Sequence, residues 1–248
     1  MPRISYQLYC SRNFPPLAQT LQMLSDAGFK EVEGFGGLLS DPDALKAALA
    51  TSGLKMTSCH VGLDMLEADP QGVVALMKEL GVGKVFAPYI AAEDRPTDSA
   101  GWRAFASRLD KAGQPIRDAG LAFGWHNHAF EFDVTPEGDM PLDLIAQVSD
   151  DMMLELDLGW VRVAGHDPIA WIEKYAGKIA AVHVKDIAAD GQAADEDGWA
   201  DAGHGIMDWA AIHAALGAAG IDHYVVEHDN PSDDKRFATR SLATLQSL

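Results

Sequence analysis

Short apolar runs rich in β-branched and aromatic residues alternate along the chain with stretches of helical periodicity. The runs predict strands near 3–9, 30–35, 54–61, 83–88, 120–126, 152–158, 178–185 and 222–228. Between and after them, helices are predicted near 15–27, 41–52, 69–80, 98–119, 141–149, 167–176, 208–219 and 232–247. Helical stretches tend to end in a glycine just before the next run, at Gly28, Gly53, Gly81, Gly120, Gly177 and Gly220. Glycine there takes the left-handed conformation that closes a helix and turns the chain into a strand. Helix starts carry matching signals: Asp41-Pro42 and Asp167-Pro168 place Asp at the N-cap and Pro after it, and Asp208 precedes Trp209. Trp102, Phe105, Ala106, Leu109 and Gly113 fall at three-and-four spacing, a stripe that faces a core.

Strands that alternate with helices imply a parallel sheet. Eight such units in 248 residues predict a (β/α)8 barrel, read as a single domain over residues 1–248. The competing fold, a doubly wound open sheet, usually carries a glycine-rich loop after its first strand. Residues Cys10-Ser11-Arg12-Asn13-Phe14-Pro15-Pro16 contain no glycine. A long acidic segment at about 188–205 follows the seventh strand and is a candidate lid, with Asp195-Glu196-Asp197 read as a solvated face. Hydrophobic residues make up 48% and charged residues 23%, which excludes a disordered chain. Nineteen basic against 37 acidic residues give a net charge of −18, which repels nucleic acid and anionic membranes. Cys10 and Cys59 are too few for a disulfide framework or a cysteine-based zinc site. With no apolar leader and no membrane-length run, a cytoplasmic protein is expected.

In such a barrel, chemistry sits at the C-terminal ends of the strands. Those ends carry Glu33, His60, Trp125-His126-Asn127-His128, Glu155-Leu156-Asp157, His183-Val184-Lys185-Asp186 and Glu227-His228-Asp229. Strand alternation puts Glu155 with Asp157, His183 with Lys185, and Glu227 with Asp229, so one member of each pair can face the barrel mouth. Carboxylates and imidazoles converging in an apolar barrel need a cation or a proton to balance them, and a divalent metal does so.

The strings from Trp125 to Phe132, Glu155 to Trp160, His183 to Asp186 and Val226 to His228, with Ala202 to Trp209, resemble the xylose isomerase-like TIM barrels of the sugar phosphate isomerase/epimerase type. The resemblance covers essentially the whole chain. It implies one divalent metal ion (Mn, Zn, Co or Mg) held by residues of strands 5, 6, 7 and 8. Asp157, His183 and Glu227 match three of those ligands. On strand 5, His126 stands where epimerases have glutamate, and Glu131 falls close to a second glutamate that contacts substrate in ketose epimerases. Either His126 is the fourth ligand or Glu131 folds back to the metal; the alignment favours His126.

The function expected from the resemblance is isomerisation or epimerisation of a keto-sugar or related α-hydroxy carbonyl compound through a metal-stabilised ene-diolate. The missing strand-5 glutamate raises the alternative, a lyase or dehydratase acting on a keto-sugar or keto-cyclitol, as in inosose dehydratases. A sugar-binding barrel without chemistry is a further alternative, and an endonuclease IV type of hydrolase is opposed by the charge. Candidate proton-transfer residues are Glu227, Glu131 and Lys185; candidate substrate contacts are Glu33, His60, His128 and Trp160. Trp125 and Trp160 suit either an apolar wall for a sugar ring or core packing. The expected partner is a small sugar, and barrels of this kind often form homo-oligomers.

Overall fold

The computed structural model describes residues 2–14 and 16–248; Met1 and Pro15, where the first expected helix begins, lie outside the described residues. The barrel strands begin with β1 (Arg3–Gln7), β2 (Glu31–Gly34), β3 (Lys55–His60) and β4 (Lys84–Ala87). They continue with β5 (Ala122–His126), β6 (Met153–Asp157) and β7 (Ile179–Val184). After a hairpin of β8 (Asp186–Ile187) and β9 (Trp199–Ala200), β10 (His223–Val226) is the eighth barrel strand. All eight pair in parallel, and β10 closes against β1, giving a single-domain closed (β/α)8 barrel.

The helices are α1 (Leu17–Ala27), α2 (Pro42–Ser52), α3 (Leu63–Ala68), α4 (Pro70–Leu80) and α5 (Ser99–Asp118). Then come α6 (Pro141–Ala146), α7 (Leu158–Val163), α8 (Pro168–Tyr175), α9 (Trp209–Ala218) and α10 (Asp234–Ser247). Asp41, Asp167 and Asp208 each cap a helix through a side-chain oxygen, as their positions predict. Gly28, Gly53, Gly81, Gly120 and Gly220 are left-handed, but Gly177 is not: α8 ends at Tyr175 and leaves through a turn that does not need it.

Register explains why polar side chains reach the barrel axis. Neighbours across a parallel pair point the same way. Gln7 pairs with Glu33, Glu33 with Ser58, His126 with Glu155, and Asp157 with His183. These residues face inward, while Tyr6, Val182 and Val226 face the helices and join the main core. Inside the barrel, Phe86, Ala181 and Val225 form a small separate apolar cluster. The polar layers stand above it at the strands' C-terminal ends.

The segment after β7 is more ordered than a free acidic loop. The Asp186 carboxylate accepts from the backbone N–H of Ile187, Gly203, Gly205 and Met207 and from Trp209 Nε1, at 2.8 to 3.1 Å. Gly205 is required there, because a Cβ would strike the Ile187 carbonyl and the Asp186 carboxylate. The expectation of a solvated Asp195-Glu196-Asp197 face fails at Glu196. Its carboxylate is buried, accepting from Ser232 N and from Arg236 on α10. Arg236 lies forty residues downstream, and its charge is what makes the burial tolerable.

Candidate functional site

His183 on β7 is the hub. Its Nδ1 lies 2.8 Å from Glu227 Oε2 and 3.9 Å from Asp157 Oδ2. Its Nε2 lies 2.8 Å from Glu33 Oε1 and 3.1 Å from Glu155 Oε2. The ring is fully buried. Burial disfavours its charged form, but Glu155 and Glu227 outweigh that and hold His183 well above the usual histidine range. Burial also pushes Glu227 up, yet Lys185 and His183 hold it well below the usual carboxylate range.

Lys185 is fully buried as well. Its ammonium donates to Glu227 Oε2 at 3.1 Å and to Asp229 Oδ1 at 2.6 Å, and Asp157 Oδ2 is 3.8 Å away. The ammonium sits 4.9 Å from the ring centre of Trp160 and 4.5 Å from that of Trp199. Burial opposes its charge, but Glu227, Asp229 and Asp157 push its pKa above the ordinary lysine value. The two rings add cation–π attraction. Lys185 is therefore a fixed positive charge, suited to balancing carboxylates and unsuited to accepting a proton.

Asp157 does two jobs at the end of β6. One oxygen caps α7 through Trp160 N at 2.9 Å. The other, Oδ2, is buried and has no hydrogen-bond partner. Burial raises this carboxyl to about 7, against the pull of Lys185. His126 at the end of β5 is buried with an unpartnered Nδ1, and burial lowers its pKa to about 3, so it is a neutral imidazole with a free lone pair. One donor atom from each of His126, Asp157, His183 and Glu227 lies within 4.8 Å of the others. Orphaned oxygen and nitrogen donors of this kind fit a divalent cation of borderline hardness.

A cleft of about 470 Å³ opens onto this group. His60, His126, His128, Glu227 and Asp229 form its polar end, and Tyr9, Phe35, Pro88 and Tyr89 its apolar walls. Arg12 also lines it, stacked 3.9 Å over the Tyr9 ring and donating to the Tyr9 and Asp229 carbonyls. An apolar wall facing polar groups matches the two faces of a polyhydroxylated ring.

The remaining candidates separate. Glu131 does not join the grouped donors: its carboxylate accepts from Trp125 Nε1 and from His128 N, both at 2.9 Å, and burial raises it to about 8. Trp125 is wholly buried against Phe105 and is a brace rather than a cleft wall. His128 lines the cleft as a neutral ring, its pKa well below the ordinary value because of burial. Trp160 is half-buried over Lys185. Glu33 lies one layer down, bonded to Gln7 and His183, and His60 reaches both Glu33 and Glu155.

Alternation pointed to one inward residue per pair; in the closed barrel Glu155 and Asp157 both turn in, as do His183 and Lys185. Glu155, absent from the sequence-derived site, lies 2.5 Å from His60 Nε2 and 3.5 Å from His126 Nδ1. Its signal was present: a glutamate inside an otherwise apolar strand, two residues before Asp157.

Among the described residues, no helix is long and apolar enough to cross a membrane. Among known proteins, an inosose dehydratase of Geobacillus kaustophilus is 26% identical over 197 residues, 69% of this chain; the match spans 62% of that relative's length. A sugar phosphate isomerase/epimerase of Parabacteroides distasonis superposes with a TM-score of 0.83 at 21% identity, covering 100% of this chain and 94% of that one. The IOLI protein, solved with a binding zinc atom, superposes with a TM-score of 0.79 at 18% identity, covering 100% and 97%. Both superpositions extend the fold likeness over the entire barrel. The family description "xylose isomerase-like TIM barrel" matches residues 21–248, and the chain belongs to that family.

Proposed function

We propose that this chain is a divalent-metal-dependent lyase that removes water from a keto-cyclitol or related cyclic α-hydroxy ketone. The observation that carries this reading is the supply of bases. An epimerase needs carboxylates on opposite faces of the substrate. Here the strand-5 position is His126, a neutral ring, and Glu131 is committed to Trp125 and His128 N. Two carboxylates line the cleft, Glu227 and Asp229, but both follow β10 and both accept from Lys185, so neither supplies a base on the opposite face; Glu227 is held ionised beside Lys185 and His183. One base on one face suits removal of the proton next to a carbonyl, followed by loss of the β-hydroxyl. The likeness to inosose dehydratases supports the same reading.

Asp157, His183 and Glu227 would hold the cation, with His126 alongside. The cation supplies Lewis-acid polarisation of the carbonyl and an adjacent hydroxyl, which acidifies the neighbouring C–H. Glu227 takes the proton from that carbon. Lys185 keeps Glu227 ionised beforehand and offsets the negative charge of the cluster. The proton held on Glu227 is then passed to the departing β-hydroxyl, which leaves as water, with His128 at the cleft as its hydrogen-bonding partner. Tyr9, Phe35 and Tyr89 pack the ring's C–H face and exclude water from it.

Isomerisation or epimerisation is the second reading. It begins with the same proton removal and is supported by the isomerase/epimerase assignment of the structural neighbour. Incubation of Mn-loaded protein with keto-cyclitols and ketoses in D2O separates the two. Loss of water, followed as an enone absorbance and by mass, supports the lyase. Deuterium in recovered ketose or in a rearranged product, with no water lost, replaces it with the isomerase. Neither change in any compound would sink both.

A further inference from the structure

Beside the Asp157–His183–Glu227 group lies a second group of donors, of which His60, Glu155 and the neighbouring Glu33 take no part in the proposed chemistry. His60 Nε2 is 2.5 Å from Glu155 Oε2 and 3.3 Å from Glu33 Oε1. His126 Nδ1 approaches Glu155 Oε2 to 3.5 Å. One donor atom from each of His60, His126, Glu155 and His183 lies within 4.8 Å of the others, and all four residues are buried. Nitrogen and oxygen donors about 2.1 Å from one tetrahedral ion stand roughly 3.4 Å from one another. The observed spacings bracket that value, and the short His60–Glu155 contact opens by under about 1 Å.

Hydrogen bonding alone leaves this group incomplete. Glu33 Oε2, Glu155 Oε1 and His126 Nδ1 are buried without any partner. Such orphans are rare in folded proteins and ask for an explanation. Carboxylates also outnumber cations here: Glu33, Glu155, Asp157, Glu227 and Asp229 face Lys185 and the protonated His183 ring. Unpaired buried charge of that size is strongly disfavoured.

We propose that this group is a second divalent-cation site that binds an ion such as Zn(II), Mn(II) or Co(II) through His60 Nε2, Glu155 and His126 Nδ1, with Glu33 beside it, so that His126 Nδ1 serves this ion rather than the upper one. His183 then serves the upper ion through Nδ1 and keeps its Nε2–H for Glu33. The upper site is left with three protein ligands and open positions toward the cleft, the usual pattern of a catalytic ion. The lower ion, whose ligands His60 and His126 also line the cleft, fixes the carboxylates that orient His183. This proposal rests on the function above only in that the upper site also takes an ion.

The test is stoichiometry. Protein stripped by a chelator, reloaded with Zn(II) or Mn(II) and desalted is assayed by elemental mass spectrometry, with circular dichroism to verify the fold. The expected result is about two ions per chain in the wild type, and about one in Glu155→Gln, in His60→Asn and in Asp157→Asn. Anomalous diffraction from Zn-loaded wild-type crystals is expected to show a second peak between His60 and Glu155, and it decides the matter if the variants do not fold. Saturation at one ion, with a single peak at Asp157 and Glu227, overturns the second site and leaves the proposed function standing. Two ions retained in Glu155→Gln overturns the ligand assignment. A wild type that binds no ion overturns both.

Discussion

Lys185 offers the sharpest test of the electrostatic reading. Replacing it with methionine keeps an apolar stem between Trp160 and Trp199 and removes only the ammonium. Glu227 Oε2 and Asp229 Oδ1 then lose their nearest cation, 3.1 and 2.6 Å away. Breaking a buried ion pair by removing one partner costs about 3–5 kcal/mol. At roughly 2–4 °C per kcal/mol for a chain of this size, the melting temperature of metal-free protein should fall by on the order of 10 °C. The sign with pH follows from linkage. Lys185 and His183 depress Glu227, so this contribution is present at neutral pH and is lost as the carboxylate is protonated. Without Lys185 the folded carboxyl titrates higher, so the deficit of the variant should be larger at pH 8 than at pH 5. A bound divalent cation replaces part of the missing charge, so the deficit should also shrink on Mn(II) loading. Calorimetry of both proteins at the two pH values, with and without Mn(II), reads all three effects. Equal melting temperatures at pH 8 without metal would refute the argument that Lys185 neutralises this cluster.

Other outcomes are equally specific. Glu227→Gln should lower kcat by about 10²–10⁴-fold, as expected for loss of a proton-transfer group, with the circular dichroism spectrum unchanged; near-normal turnover would reassign the base. Burial raises Glu131 to about 8, above its unfolded value near 4.3, so its contribution to stability is complete at low pH and declines through pH 4–8 by about 1.4 kcal/mol per unit. Glu131→Gln should flatten that decline in urea titrations, and equal slopes would mean that Glu131 is ionised in the fold. Asp186→Ala strands the buried donors Met207 N and Trp209 Nε1 along with the glycine N–H groups. At about 1–3 kcal/mol for each unsatisfied buried donor, the loss should exceed about 3 kcal/mol. Hydrogen exchange should rise first at residues 200–207, and unchanged protection there would show that the turn does not depend on Asp186.

The barrel was legible because its signals are local. A β-branched run states a strand, and glycine after a helix states a turn, whatever the rest of the chain does. The signal misled where a distant partner decides. Glu196 looks like a solvated acid between Asp195 and Asp197 until Arg236 is brought to it by α10. Trp125 stands open between a sugar wall and core packing until Phe105 and Glu131 enclose it. Gly177 sits in the right place for a left-handed cap, but α8 has already ended at Tyr175.

The site divides in the same way. Asp157, His183 and Glu227 were readable because each stands at the end of its own strand, and a barrel gathers strand ends whatever their order. Glu155 was not, because alternation alone predicts which face a residue takes and not how many layers of that face the barrel encloses. Its partner His60 comes from β3, three strands away, and the register of β6 against β7 shifts just between Leu154 and Glu155. Nothing local encodes that meeting. Yet it bears on the one position where the chain departs from the epimerase pattern. His126 brings a neutral ring to strand 5, and its register partner Glu155 brings a carboxylate within 3.5 Å of it. The negative charge that a strand-5 glutamate would carry is thus still in the barrel, moved one strand over and one layer down, out of the cleft. There it can hold an ion or orient His183 but cannot reach a substrate carbon, which leaves proton removal to Glu227.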